Sequence, residues 1–152
     1  MTFARILAVV WVATIALLAA FWDHRGTAAV EPVADIPLCR VGQPNTFDKT
    51  CIVDGDTIWL HGTNYRLKDF DTPEPRTNIC GGFEEIDLAR AATDRLHALL
   101  NSDSWTIETF GFDGTGQRTL ATIRIAGEDV GDVLIREGLA RRWPYGEEFW
   151  CS

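Results

Sequence analysis

The chain opens with an apolar segment. Ile6–Trp22 carries no charged residue, follows Arg5 and the amino terminus, and is followed at once by the polar residues 23–25. As a helix this segment would be about 26 Å long, near the lower limit for crossing a bilayer and longer than most cleavable signal cores. The pattern predicts a signal-anchor over residues 1–22, with the rest of the chain outside the cytoplasm. The alternative is cleavage near residue 29, which would make the protein secreted.

The pattern changes twice after the apolar segment. Residues 23–46 show no regular period and contain three prolines, which is typical of a linker. From residue 47 onward, short apolar runs between turns predict three strands with the sequences TCIV, TIWLH and YRLKDF. The prolines of Asp71–Pro75 then interrupt the pattern, because proline cannot continue a hydrogen-bonded ladder. We therefore expect a folded domain over residues 47–152.

A helical period follows these strands. Apolar residues recur at helical spacing from Phe83 to Leu100 and predict an amphipathic helix. The polar positions between them include Glu85, Arg90, Asp94 and Arg95. Strands over Trp105–Phe110 and Arg118–Ile125, and a short second helix that ends near Gly138, complete the pattern. The expected fold class is mainly β (α+β), an OB-like five-stranded β-barrel with two or three packed helices.

Composition and charge restrict the function. Of the 152 residues, 46% are apolar and 24% are charged, which suits a single folded domain with a small N-terminal addition. The formal net charge of -8 argues against a protein that coats polyanions, because that affinity comes mainly from Lys and Arg. Phosphate binding stays compatible with this charge if the acidic residues lie partly around a metal ion and partly on surface helices.

Four cysteines after an apolar N-terminal segment predict two disulfides. No C-x-x-C pair occurs and the three histidines are scattered, so a zinc site has little support. Three pairings are possible, and the sequence alone does not select among them. We favour Cys39 with Cys51 and Cys80 with Cys151, the second of which would tie the C-terminal tail to the domain. Buried free thiols are the alternative.

Four carboxylates and one arginine lie close together in the sequence, at turns and strand ends. They are Asp54, Asp56, Arg66, Asp71 and Glu74. Convergent carboxylates repel one another unless a cation is present, and a hard divalent ion with oxygen ligands is the natural partner. An EF-hand is excluded, because the residue at position 12 of a loop that starts at Asp54 is Tyr65 rather than glutamate. Each carboxylate also has an ordinary alternative, as a turn residue or as a first-turn helix acid.

Four motifs in this region resemble those of the thermonuclease (staphylococcal-nuclease-like) family. They are VDGDTIWL, YRLKDFDTPEP, QRTLATI and LIREGLARRW, and they span roughly residues 50–143. The ordered set is specific, whereas a DGDT tetrapeptide alone is weak. The resemblance implies calcium-dependent hydrolysis of DNA or RNA, endonucleolytic and with low sequence specificity.

The resemblance also implies which residues bind the metal ion. Asp56 and Asp71 would be direct Ca²⁺ ligands, and the carbonyl oxygen of Thr72 would be a neutral third ligand. Asp54 would lie just outside this ligand set. Oxygen ligands of this kind are the ones that Ca²⁺ prefers in proteins.

The remaining roles concern the phosphate and the attacking water. By the same resemblance, Glu74 would position or deprotonate the water, and Arg66 and Arg118 would grip the phosphate. Guanidinium groups suit this task because they donate two parallel hydrogen bonds to phosphate oxygens. Arg118 rests on the resemblance alone, since a solvated arginine directly after a turn is ordinary.

The chain departs from the family's pattern in its aromatic residues. Gly116 and Gln117 precede Arg118, where the family usually has an aromatic residue and a glycine, so no aromatic is available there to stack on a base. The tyrosines usually found after the GLA segment are displaced. The remaining aromatic residues, Trp143, Phe149 and Trp150, are more typical of packing than of base stacking.

Two other functions are compatible with the sequence. One is a catalytically silent OB-type module, tethered to the membrane, that binds nucleic acid or another anion. The other is a membrane-tethered interaction domain whose acidic turns bind structural calcium. The complete residue set favours the nuclease, because binding alone needs no water-positioning glutamate. We expect a monomer whose partners are a nucleic acid substrate and, through residues 6–22, a membrane, and no protein partner is indicated.

Overall fold

The computed structural model describes residues 29–31, 35–77 and 79–151. The predicted signal-anchor, residues 1–22, lies outside the described residues. Within the described part of the chain, no helix has both the length and the apolar character that crossing a bilayer requires.

A mixed sheet of seven strands forms the body of the domain. Its strands are β1 (Ala29–Glu31), β2 (Cys51–Ile52), β3 (Thr57–Leu60), β4 (Thr63–Leu67), β6 (Trp105–Phe112), β7 (Thr119–Ile125) and β8 (Glu128–Asp129). Their order is β1-β6-β7-β4-β3-β2, with β8 beside β7. β4 and β7 run parallel, and the other pairs of this sheet are antiparallel. A separate two-stranded sheet pairs β5 (Phe70–Asp71) with β9 (Arg141–Arg142).

Two helices pack against the main sheet. Helix α1 covers Gly82–Leu100, α2 covers Val130–Arg136, and a 3₁₀ turn covers Phe149–Cys151. The side chain of Asp129 caps α2 by accepting a hydrogen bond from the Gly131 amide at 2.8 Å. Apolar side chains from the strands and both helices form one core, which includes Ile52, Ile58, Leu67, Leu96, Ile123 and Leu134.

A close approach at Gly55 joins three parts of the structure. A Cβ atom at this position would lie 2.8 Å from Thr72 Cγ2 and 2.9 Å from Ala92 Cβ. Glycine is therefore needed there because the turn before β3, the loop after β5 and helix α1 touch one another. This contact places the acidic residues on either side of Gly55 next to the loop that carries Thr72.

The mainly β, α+β fold class is confirmed, and the five predicted strands correspond to β2, β3, β4, β6 and β7. The mixed sheet with its two helices is also consistent with the predicted OB-like fold, and the pairing of the described strands runs from β1 to β2 without a closing pair. The predicted linker also contributes to the fold. β1 pairs with β6, and Ile36 is buried in the core, because apolar residues of this segment gain stability from burial even without a regular period.

Two disulfides tie peripheral segments to this body. Cys39 is bonded to Cys51 on β2, and Cys80 is bonded to Cys151 in the 3₁₀ turn. The favoured pairing is therefore present. The first bond fixes the segment before β2, and the second fixes the C-terminal tail beside the start of α1.

Candidate active site

Arg66 lies at the centre of the acidic cluster. It stands on β4 opposite Thr57 of β3, so that its side chain reaches the residue before that strand, Asp56. Its Nη1 donates to Asp56 Oδ1, and its Nη2 donates to Asp71 Oδ1 at 2.6 Å. The guanidinium group therefore bridges the two aspartates that come from separate turns.

Asp56 is almost fully buried and has a hydrogen-bond donor at each oxygen. Its Oδ1 accepts from the Thr57 hydroxyl at 3.0 Å, and its Oδ2 accepts from the Thr72 amide at 3.2 Å and the Thr72 hydroxyl at 3.1 Å. Burial raises the pKa of Asp56 to about 7, and the charge of Asp54 acts in the same direction, while Arg66 opposes both. The carboxylate is thus held in one orientation, but the positive charge of Arg66 does not fully offset the effects of burial and of Asp54.

Asp54 lies directly behind Asp56. Its Oδ1 accepts a hydrogen bond from the Asp56 amide at 3.2 Å, which fixes the turn. Burial raises the pKa of Asp54 above its ordinary value, and hydrogen bonding and the charge of Arg66 oppose this effect. Two neighbouring carboxylates that are both hard to ionise favour the presence of an additional cation.

Glu74 and Arg118 lie in the same groove as Arg66. This groove, of about 470 Å³, is called the Arg66 groove, and its lining includes Arg66, Asp71, Glu74, Asp113, Arg118 and Trp143. Burial raises the pKa of Glu74, as does the charge of Asp56, whereas Arg66 opposes the shift. Three of the predicted functional side chains therefore face one space.

Arg118 is held by a turn of its own. Its Nε donates to Asp113 Oδ2 at 2.7 Å, and Asp113 Oδ1 accepts from the Thr115 hydroxyl at 2.7 Å. Hydrogen bonds from Thr115 and Arg118 lower the pKa of Asp113 below its usual range. An ionised Asp113 thus orients Arg118 at the wall of the Arg66 groove.

The family of staphylococcal nuclease homologues matches residues 64–148, which is more than half of the chain. The chain belongs to this family. The matched range contains Arg66, Asp71, Glu74 and Arg118, whereas Asp54 and Asp56 precede it. No curated protein matches the sequence.

In this staphylococcal nuclease homologue, Arg141 contacts the candidate site, and the sequence analysis did not single it out. Its Nε and Nη2 donate to Asp71 Oδ2 at 3.0 and 2.9 Å, and its Nη2 also donates to Glu148 Oε1 at 2.5 Å. The pairing of β5 with β9 places Asp71 directly opposite Arg141. The available signal was the LIREGLARRW motif, which contains two adjacent arginines but does not distinguish them.

Glu85 is the second residue that was missed, and its predicted place on the polar side of the helix was wrong. The side chain is buried on α1, with 1% of the residue exposed. Its carboxylate accepts hydrogen bonds from the backbone amides of Glu74 at 3.2 Å, Cys80 at 2.6 Å and Gly81 at 2.7 Å. The loop that carries Glu74 is thus held at both ends by one buried acid.

Trp143 also differs from the expectation that it packs in the interior. More than half of it is exposed (55%), it lines the Arg66 groove, and its ring centroid lies 5.2 Å from Arg141 Cζ. Trp150, by contrast, is buried, as expected of a packing residue. An aromatic surface is therefore present in the groove although none precedes Arg118.

The acidic cluster has the donor chemistry of a site for a hard cation. Asp54, Asp56, Asp71 and Glu74 supply oxygen ligands only, and burial raises the pKa of three of them: Asp54, Asp56 and Glu74. Arg66 and Arg141 balance part of this negative charge. The cluster thus has oxygen ligands of the type that Ca²⁺ prefers, but among the described residues no three of its ligand atoms lie within 4.8 Å of one another, and Arg66 and Arg141 occupy Asp56 and Asp71.

A different set of atoms is unsuitable for a metal ion. Among the described residues, the acidic or sulfur ligand atoms of Cys80, Glu85 and Cys151 lie within 4.8 Å of one another. Both sulfur atoms belong to one disulfide, so no thiolate is available to bind a metal ion.

Proposed function

We propose that the protein is a calcium-dependent phosphodiesterase, an endonuclease that hydrolyses DNA or RNA with low sequence specificity. The observation that carries this proposal is the convergence of Arg66, Glu74 and Arg118 on one groove beside the buried Asp56. Phosphodiester hydrolysis needs a charge clamp and a positioned water, and these residue types supply both. Family membership supports the same chemistry.

Arg66 and Arg118 would bind the scissile phosphate. Each guanidinium group already has a carboxylate partner that fixes its position, and each keeps further N–H donors for phosphate oxygens. Donors that are fixed before the reaction stabilise negative charge as it develops on the phosphate. Positioning by Asp56, Asp71 and Asp113 thus becomes part of the catalytic design.

Glu74 would orient the attacking water and accept its proton. The residue shares the Arg66 groove with the two arginines, and Glu85 holds its backbone amide. A carboxyl group with a raised pKa is a stronger base than an ordinary one, which suits proton abstraction near neutral pH.

Asp56, Asp71 and the carbonyl of Thr72 would hold Ca²⁺, with Asp54 just outside the ligands. When bound, the ion would polarise the phosphate and lower the pKa of the attacking water. The backbone and hydroxyl hydrogen bonds from Thr72 to Asp56 keep two of these residues together.

Trp143 would supply the aromatic contact with a base. Its exposed ring lies in the Arg66 groove near Arg141, and stacking on an aromatic face is tolerant of base identity. Low sequence specificity follows from contacts of this kind.

The domain would work outside the cytoplasm. Two disulfides support this location, because such bonds persist mainly in oxidising compartments. Residues 6–22 would anchor the protein, or cleavage near residue 29 would release it. The mass of the chain purified under non-reducing conditions tests both points, since it reports the disulfides and the presence of the N-terminal segment.

One experiment tests the catalytic proposal. Cleavage of single-stranded DNA and RNA is measured with calcium, with EDTA and with the Glu74→Gln variant. We expect cleavage with calcium alone and a loss of at least a hundredfold in both other cases. Cleavage that persists in EDTA, or in the variant, would contradict the mechanism.

A catalytically silent, membrane-tethered module that binds nucleic acid or another anion is the second candidate. One observation favours it: the proposed calcium ligands Asp56 and Asp71 are already engaged by Arg66 and Arg141. Tight oligonucleotide binding without turnover in calcium would select this function.

A further inference from the structure

A second groove meets the Arg66 groove at Glu74. It has a volume of about 750 Å³ and is called the Trp59 groove, and its lining includes Arg40, Lys49, Asp54, Trp59, Glu74 and Arg76. Glu74 lines both grooves. A strand that passes Glu74 in the Arg66 groove would therefore continue into the Trp59 groove.

The cations of the Trp59 groove are unusual in this acidic chain. Within the described residues, the Lys and Arg side chains without a carboxylate oxygen within 4.0 Å are Arg40, Lys49 and Arg76, and all three line this groove. All other Lys and Arg side chains of the described residues are paired with acids. In a chain with a net charge of -8, cations without acidic partners are available to bind an anionic ligand.

The groove is not uniformly basic. Asp54, Glu74 and Asp94 also line it, and the fourth cation of its lining, Arg90, is paired with Asp87 at 2.9 Å. Its positive charge is therefore concentrated at Arg40, Lys49 and Arg76. Lys49 is buried, so Arg40 and Arg76 are the exposed unpaired cations that can contact the phosphates of a strand.

Trp59 gives the groove an aromatic wall. Lys49 Nζ lies 4.4 Å from the centroid of its ring and donates to Asn45 Oδ1 at 2.9 Å, so the lysine is fixed while the indole lines the groove. Proteins that bind single-stranded nucleic acid combine cations for the backbone with aromatic side chains for the bases.

The two exposed arginines are carried by fixed segments. Arg40 follows Cys39, which is bonded to Cys51, and its amide donates to Gln43 Oε1 at 3.0 Å. Arg76 lies between Glu74 and Cys80, both of which donate amide hydrogen bonds to Glu85. Fixed backbones reduce the entropy that is lost when these side chains bind a ligand.

We propose that the Trp59 groove binds nucleotides that flank the scissile phosphate of single-stranded nucleic acid. Arg40 and Arg76 contact phosphates in this arrangement, and Trp59 stacks on a base. A single strand is required, because a base in a duplex is not free to stack on a side chain. The inference rests on the proposed function and extends it with a second substrate-binding region.

Binding is measured separately from cleavage. Fluorescence anisotropy in EDTA follows a labelled single-stranded oligonucleotide of about twelve nucleotides, the size of an ordinary single-strand site, and competition against it follows an unlabelled dinucleotide. The full-length variant Arg40→Gln/Arg76→Gln is compared with the control Arg124→Gln/Arg136→Gln, which removes equal charge outside both grooves.

We expect the Arg40→Gln/Arg76→Gln variant to bind the longer strand roughly tenfold more weakly and to lose about 1.4 from its salt slope. Dinucleotide binding should not change. Equal losses in the control, or no loss in the groove variant, would overturn the inference.

The contribution of Trp59 is tested with two substitutions, one that keeps an aromatic ring and one that does not. Trp59→Phe should retain binding of the longer strand, whereas Trp59→Leu should weaken it at least fivefold, since stacking on an aromatic ring contributes about 1–3 kcal/mol per base. Equal affinities in the two variants would remove the base contact from the proposal.

The two proposals fail differently. Oligonucleotide binding that depends on Arg40 and Arg76 without any cleavage would reject the nuclease and retain the groove. Cleavage with binding that is insensitive to these arginines would do the reverse. A chain that neither binds nor cleaves would reject both.

Discussion

The two grooves that meet at Glu74 differ in what surrounds their cations. In the Arg66 groove, Arg66 is bound by Asp56 and Asp71, and Arg118 is bound by Asp113. In the Trp59 groove, the described residues offer no carboxylate partner to Arg40 or Arg76, whereas Arg90 is paired with Asp87. A guanidinium group that is paired with a carboxylate has a fixed position, but the pair as a whole has little net charge. An unpaired guanidinium group has its full charge available for a ligand.

This difference separates position from affinity. Chemistry at a phosphorus atom needs donors that are correctly placed before the substrate arrives, which pairing with acids provides. Holding the rest of a strand needs charge and stacking, and tolerates variation in geometry. Substitutions that remove the partners of each groove should show which property is lost, the position of the donors or the affinity for the strand.

The largest effect on cleavage is expected from Arg66→Lys. A lysine retains the charge but cannot bridge Asp56 and Asp71, so the phosphate clamp and the buried aspartate both lose a partner. We expect cleavage to fall by about 10²–10³-fold and the free energy of unfolding to fall by about 2 kcal/mol. Steady-state kinetics and urea unfolding measure the two losses.

Arg136→Lys is the matched control, because that arginine pairs with the exposed Glu128. It should change neither quantity appreciably. If Arg66→Lys cleaves at the rate of this control, the bridge between the two aspartates is not needed to position the donors that bind the phosphate.

The disulfides allow the two grooves to be disturbed separately. The bonds Cys80–Cys151 and Cys39–Cys51 link residues separated by 71 and 12 positions. Replacing both cysteines of a pair by alanine should cost about 4 kcal/mol for the first and about 3 kcal/mol for the second. Urea unfolding of the two double variants measures these costs.

The functional losses should differ as well. Without Cys80–Cys151, cleavage should fall, because the loop between Glu74 and α1 loses an anchor. Without Cys39–Cys51, binding of the longer oligonucleotide should weaken, because Arg40 loses its fixed neighbour. Identical functional profiles for the two variants would contradict the division between the grooves.

Glu85→Gln tests how Glu74 is positioned. Glutamine has one acceptor oxygen where glutamate has two, so it cannot accept from the amides of Glu74, Cys80 and Gly81 as before. We expect kcat to fall roughly tenfold with KM nearly unchanged, and stability to fall by about 1–2 kcal/mol. Kinetics at saturating and limiting substrate separate the two constants.

Glu84→Gln is the control for this variant, since Glu84 is the exposed neighbour in the same helical turn. It removes the same charge and should leave kcat unchanged. If Glu85→Gln lowers kcat/KM but leaves kcat unchanged, Glu85 supports substrate binding rather than the position of Glu74.

Local sequence patterns predicted the parts of the fold that depend on neighbours in the chain. Helical spacing identified α1, and alternating runs identified the five main strands. Glu85 was misplaced because a polar residue in such a pattern is assigned to the surface. Its burial depends on three amides of a loop, a tertiary arrangement that helical spacing does not reveal.

The candidate site divides in the same way. Asp56, Arg66, Asp71 and Glu74 were predicted because motifs group them within a short stretch, and the structure brings them together. Arg141 was not, since it reaches Asp71 through the pairing of two short strands that are distant in sequence. The contribution of β1 (Ala29–Glu31) to the fold likewise depends on a partner, β6, far along the chain.

The smallest effect is expected at an exposed pair, and it tests whether pairing alone accounts for fixed position. Arg95 on α1 binds Glu137, just after α2, through two hydrogen bonds of 2.7 Å. The hydrogen bond from Arg95 lowers the pKa of Glu137, and the charge of Arg136 adds to the effect. A lowered pKa in the folded state stabilises the protein above the ordinary glutamate pKa, and this stabilisation is lost as the pH falls through the lowered value.

Glu137→Gln should therefore cost about 0.5 kcal/mol at neutral pH and almost nothing well below pH 4, as measured by urea unfolding at both pH values. Like Arg66, Arg95 uses two N–H donors, but both reach one carboxylate, and the pair is exposed to water, which screens it. A cost near 2 kcal/mol would mean that geometry alone gives a paired arginine its strength. The expected small cost instead assigns the fixed position of Arg66 to the burial of Asp56.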